Sequence, residues 1–184
     1  MILVLGGLKS GKSRFASSLA SHRKGKVVYL ATALAGDDEM RERIRRHREE
    51  RPSEWLTVEE PVDPARVFLS DAVSGVSTVV VECLTLWLTN ILSPLGDEPD
   101  RNEAMRLGER EAGRLLEVLK QWEHGAMGKA RQTLVLSNQV ETGLISTWPL
   151  GRVFQDLAGI THQRFAFQAE EVYMMNAGIP QKLK

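Results

Sequence analysis

The sequence predicts a single α/β domain, with a mainly parallel sheet covered by helices on both faces. Three observations carry this expectation. Short apolar runs bounded by turn residues alternate with longer segments of helical period. The 184 residues fit one domain of the usual ~100 to 200, and no linker divides them, so 1–184 is read as one unit. Directly after the first apolar run comes "GGLKSGKS", a glycine-rich turn between a strand and a helix.

The strands follow in order. "ILVL" (2–5), "KVVYLAT" (26–32), "STVVVE" (77–82), "QTLVLS" (132–137) and "EVYMM" (171–175) are β-branched or apolar runs of strand length, and "WLTVEE" is a shorter one. Helical period is expected over 11–22, 38–50, 63–73, 84–92, 103–123 and 150–169. "SPLGDEPDRN" and "GAMGKAR" have the composition of surface loops.

Composition narrows the function. Twenty-four basic residues balance 24 acidic ones, so bulk charge points to no nucleic acid and no acidic membrane surface, and any phosphate site must be local. No apolar run approaches the ~18 residues of a membrane span, and the opening "MILVLGG" is too short for a signal peptide. The single cysteine, Cys83, excludes an internal disulfide and suits a reducing cytoplasm, with a buried structural role.

Gly6, Gly7, Leu8, Lys9, Ser10, Gly11, Lys12 and Ser13 spell G-x-x-x-x-G-K-[ST]. Gly6 and Gly11 free the backbone so that successive N–H groups converge on phosphate oxygens, and the helix that follows adds its positive end. Lys12 is positioned to reach the β and γ phosphates, and the Ser13 hydroxyl to ligate Mg²⁺. Glu82 ends the run "TVVVE". A carboxylate there is costly to bury alone, so it is the second expected Mg²⁺ ligand, with helix capping as the alternative. At the end of another strand, Asn138 and Gln139 either contact the nucleotide or an attacking water, or simply begin a loop.

A phosphate loop alone serves kinases, nucleotidyltransferases, GTPases and mechanical ATPases. The N-K-x-D guanine signature of switch GTPases is absent. More informative is "RIRRHREERP" (43–52), which sets His47 among Arg43, Arg45, Arg46 and Arg48. On one helix, Met40, Ile44, His47 and Arg51 share a face. Neighbouring arginine charge favours a neutral imidazole, suited to attack a phosphorus whose oxygens those cations bind. The alternative is a solvated, salt-bridged helix, and residue chemistry alone favours it.

A longer set of segments changes that balance. "GGLKSGKSRFA", "YLATA", "DDEMRERIRRHREERPSEWLTVEEP", "VECLTLWLTNIL", "LVLSNQV", "GRVFQDLAGITHQRFA" and "AEEVYMMNAGIPQKLK" together resemble the bifunctional adenosylcobinamide kinase / adenosylcobinamide-phosphate guanylyltransferases of cobalamin biosynthesis. The resemblance spans almost the whole chain. It implies a RecA-like P-loop fold, a homotrimer and two reactions, with ATP and GTP as substrates. A nucleoside triphosphate phosphorylates the aminopropanol hydroxyl of adenosylcobinamide, a corrinoid; GTP then transfers GMP to that phosphate and releases pyrophosphate. It further implies that His47 carries a covalent GMP, that Gly6 to Ser13 bind phosphates, that Thr32 and Ala33 lie near the nucleotide, and that Arg51 and Glu59 contact it.

The chain departs from the family pattern in its C-terminal third. Where S-N-E-V-G-x-G-I-V-P is usual it reads "SNQVETGLIS", so Gln139 replaces an acid, Glu141 a glycine and Ser146 a proline. His162 stands in place of an asparagine, and Gln155 where arginine is common. Gln139 removes an acid from metal handling or general-base work, and a glutamate at 141 fits poorly into angles reserved for glycine. Two other readings follow: a member that keeps one reaction, and a RecA-like ATPase or interaction module.

Overall fold

The computed structural model describes residues 1–125 and 131–184. Its seven strands are β1 (Ile2–Gly6), β2 (Lys26–Ala31), β3 (Leu56–Glu59), β4 (Val76–Glu82), β5 (Gln132–Asn138), β6 (Glu171–Asn176) and β7 (Ile179–Lys182). They form one sheet in the order β3-β2-β4-β5-β1-β6-β7, parallel throughout except for the β6–β7 pair. The helices are α1 (Lys12–Ser21), α2 (Asp38–Glu49), α3 (Pro64–Phe68), α4 (Leu84–Leu92), α5 (Arg101–His124) and α6 (Pro149–Gln168).

Side-chain alternation along the strands explains the two-sided core. Leu3, Leu5, Val79 and Val81 point into a cluster with Trp87, Leu115, Leu157 and Phe165 of α4, α5 and α6. Their neighbours Ile2, Val4 and Val80 point the other way, into a cluster with Ala16 and Ala20 of α1. A strand covered on both faces must be apolar at nearly every position, which is why these runs show no polar alternation. Gly108 lets α5 approach α6: a Cβ there would lie 2.0 Å from Leu157 Cδ2.

Trp87 and Trp122 are buried as core residues, whereas Trp148 is exposed. The helix expected over 63–73 is two pieces. α3 ends at Phe68, and Ser70 accepts a hydrogen bond from Ala72 N to start a separate 3₁₀ turn, Asp71–Val73. The "GAMGKAR" loop falls largely on 126–130, outside the described residues. β7 was not foreseen. It is a four-residue edge strand, exposed throughout and carrying Pro180, so it lacks a buried pattern. A turn with Ala177 at φ 49 and Gly178 at φ 83 joins it to β6, and Gly178 N donates to Ser10 O (2.9 Å), bracing the glycine-rich loop.

Candidate active site

The carboxyl ends of the parallel strands open on a cleft of about 940 Å³. At its floor, β1 passes into the glycine-rich loop. A Cβ on Gly6 would lie 2.7 Å from Met175 O, so only glycine allows β6 this close. Gly11 (φ 97) and Lys9 (φ 53) turn the backbone through the left-handed region. Lys12 Nζ donates to Gly6 O (2.9 Å) and Gly7 O (2.6 Å) and lies 3.4 Å from Ser10 Oγ. Burial pulls the Lys12 pKa down, against the opposing pull of Cys83 and Glu82.

Ser13 Oγ donates to Glu82 Oε1 at 2.6 Å. Glu82 Oε2 is buried without a partner, and burial pushes this carboxyl above its ordinary range, against the Ser13 hydrogen bond and the Lys12 charge. A hydroxyl and a carboxylate with a spare oxygen form a hard-oxygen donor set that fits Mg²⁺, which binds one or two carboxylates together with phosphate oxygens. No cluster of three or more His, Cys, Asp or Glu able to hold a metal occurs among the described residues.

The opposite wall is α2, capped by Asp37, whose side chain accepts from Met40 N (2.7 Å). Its two faces differ. On one, Arg45 bridges Glu42 and Glu49, Arg46 pairs with Glu42, and Arg41 with Asp38. On the other, Met40, Arg43, Ile44 and His47 line the cleft, joined by Arg51 just past the helix end and, at the edge, by Glu42 and Arg46. His47 is half-buried, and burial is the first cause of its lowered pKa; Glu50 opposes, while Arg43 and Arg51 add to the lowering. The arginine charges are therefore the lesser cause of a neutral imidazole. Arg51 stacks over the Tyr29 ring at 3.5 Å, its Nε buried without a partner, and burial brings its pKa down to about 10.

Most of the residues singled out from sequence line this one cleft: Leu8, Lys9, Ser10, Gly11, Lys12, Ser13, Ala33, His47, Arg51, Glu59 and Glu82, with Asn138. Gly6 and Gly7 shape the loop from beneath. Thr32 does not face the cleft. It is fully buried, and its hydroxyl donates to Cys83 O (2.8 Å) and accepts from Cys83 N (2.7 Å), which locks the backbone just after Glu82. Gln139 contributes its backbone, N to Gly6 O at 3.1 Å. Tyr29 was not foreseen as a cleft residue, a lone tyrosine late in "KVVYLAT" being the available signal; Arg43 is one of the arginines expected beside His47. Glu141 is not among the positive-φ residues, so it adopts ordinary backbone angles, contrary to the expected misfit.

A glycine-rich loop opening the first helix, a carboxylate at the end of a neighbouring strand and a parallel sheet with helices on both faces define a RecA-like P-loop nucleotide-binding protein. The fold agrees with that of a prototypical ATPase from the type III secretion system of pathogenic bacteria (TM-score 0.59, 11% identity), a match covering 98% of this chain and 56% of that one. A family model described as "Cobinamide kinase / cobinamide phosphate guanyltransferase" matches residues 2–183, and the chain belongs to this family. It is 43% identical over 182 residues to the bifunctional adenosylcobalamin biosynthesis protein CobP of Pseudomonas aeruginosa, covering 99% of this chain and 96% of that protein. With the bifunctional adenosylcobalamin biosynthesis protein CobU of Salmonella typhimurium it shares 32% identity over 200 residues, covering 100% and 99% of the two chains.

Proposed function

We propose that this cleft carries out two transfers to one corrinoid acceptor: phosphorylation of adenosylcobinamide by a nucleoside triphosphate, ATP or GTP, and guanylyl transfer from GTP to the resulting phosphate. The observation that carries the reading is that Lys12 and His47, a phosphate-loop cation and a half-buried imidazole, line the same cleft. A kinase alone has no use for the second.

In the first reaction the acceptor hydroxyl displaces the nucleoside diphosphate from the γ phosphorus. Lys12 and the loop N–H groups stabilise the charge that develops on the leaving oxygens. In the second, a ring nitrogen of His47 attacks the α phosphorus of GTP, pyrophosphate leaves, and the acceptor's phosphate oxygen then displaces His47 from the bound GMP. Arg43 and Arg51, which line the cleft with His47 and lower its pKa, would take the α-phosphate oxygens. Ser13 and Glu82 would hold Mg²⁺, which neutralises triphosphate charge when bound. Ala33 and Glu59 contact the nucleotide from the strand ends. The cytoplasmic homotrimer of the resembled family belongs to the same proposal.

Labelled GTP tests it. With α label and Mg²⁺ the protein takes up radioactivity as an acid-labile, base-durable phosphorus–nitrogen adduct, and γ label leaves none. With adenosylcobinamide present, both products form. Triphosphate hydrolysis that is indifferent to the corrinoid, with no α label on the protein, would instead identify an ATPase.

A further inference from the structure

Three side chains without a part in those reactions are hydrogen-bonded in line beneath the rim of the cleft. Ser137 Oγ lies 2.7 Å from His162 Nε2, and His162 Nδ1 lies 2.9 Å from Glu141 Oε1. A carboxylate only accepts, so Glu141 fixes the ring proton on Nδ1 and leaves Nε2 to accept from the Ser137 hydroxyl. The order is that of a hydrolytic triad. Ser137, however, is fully buried, so no substrate reaches it and the line acts through what it holds.

What it holds is the end of β5. Asn138 follows Ser137, lines the cleft, and donates from Nδ2 to Thr85 Oγ1 at 3.3 Å. In the sheet it lies opposite Gly6, the first residue of the phosphate loop. Two turns before His162 on α6, Gln155 grips the segment beyond: Oε1 accepts from Ser146 N (2.9 Å) and Nε2 donates to Leu144 O (3.0 Å). Glu141 and His162, both departures from the family pattern, are thus in contact.

We propose that Ser137, His162 and Glu141 are a positioning relay that sets Asn138 at the phosphate end of the cleft, where it serves the incoming acceptor. This rests on the two-reaction reading above. The test is a cycle of His162→Asn, Glu141→Gly and the double variant, followed by melting, by α-label uptake on His47 and by transfer to adenosylcobinamide.

His162→Asn takes the ring from both Ser137 and the partly buried Glu141, and Glu141→Gly leaves the buried His162 Nδ1 unpaired, so each should lower the melting temperature by about 3 °C or more, with the double losing less than the sum. Each should lower kcat/KM for the cobinamide about tenfold while uptake of label stays within about twofold, and the double should recover to within about threefold of wild type. Glu141→Gln, which keeps an acceptor oxygen, should retain most of the transfer. Additive losses, or label uptake falling in step with transfer, overturn the relay. A wild-type protein that takes no label overturns the two-reaction reading instead, and the melting cycle still decides whether the pair is coupled.

Discussion

Ser13 Oγ donates to one oxygen of Glu82 across 2.6 Å, while the other oxygen is buried with no hydrogen-bond partner. A buried carboxylate half satisfied costs stability, which accords with the Mg²⁺ role proposed for it. Burial holds the Glu82 carboxyl above its ordinary 4.5, so between those values the folded state binds the proton that the unfolded state releases. Stability is therefore full below 4.5 and falls as pH rises through the raised value.

Glu82→Gln removes that pH-dependent loss. At neutral pH without Mg²⁺ the variant should melt about 2–4 °C above wild type, while its activity no longer follows the Mg²⁺ titration. A lower melting temperature with an unchanged titration would make Glu82 purely structural.

Lys12→Ala should abolish productive triphosphate use, lowering both partial reactions by about 10²-fold or more in a folded protein, because this loop side chain supplies the mobile cation. Circular dichroism establishes folding, and wild-type rates in either reaction would contradict the role.

His47 should label with GMP at neutral pH, with the rate falling only as pH drops below its ordinary 6.5, because its folded pKa is lowered and the neutral ring is the nucleophile. The sign carries over to stability: in that window the unfolded state binds more protons, so His47 withdraws stability as pH falls. A labelling midpoint at or above 6.5 would contradict the buried, neutral imidazole. His47→Asn should lose label and guanylyl transfer yet keep the kinase step.

Thr32→Val keeps shape but strips both side-chain hydrogen bonds from the Cys83 backbone, leaving its buried N–H unpaired while its C=O keeps only Trp87 N. The expected cost is about 2 kcal/mol or more, a loss of roughly 4 °C in melting temperature. Affinity for Mg²⁺ and nucleotide should weaken in parallel, since the clamp sits beside Glu82. An unchanged melt would show that the clamp contributes nothing.

Much of the phosphate half of the site was readable along the chain. A strand's period, a glycine-rich turn and a helix start are consecutive, so Gly6 to Ser13 needed no distant partner to be recognised, and the buried run ending at Glu82 declared its own anomaly. The charge run around His47 was legible only in part. Spacing put His47 with Met40 and Ile44, but whether that face was inward depended on α2 lying against the cleft, and the ion pairs of the charge run are real as well, with Glu42 and Arg46 reaching the cleft edge beside the His47 face. β7 escaped because four exposed residues with a proline carry no burial pattern; its strand character comes from pairing with β6.

Thr32 and the relay lay further still from what local sequence determines. Thr32 meets Cys83 across 51 positions and His162 meets Glu141 across 21. Hydrogen bonds of a few ångströms between such distant positions leave no period in a chain. The sequence alone determined the layered α/β fold and the phosphate loop, because apolar spacing and backbone freedom are local properties. Only the tertiary structure decided which side chains face the cleft, which are turned away to hold the backbone, and that two departures in the C-terminal third are partners, because burial and contact arise only when the strands are set side by side.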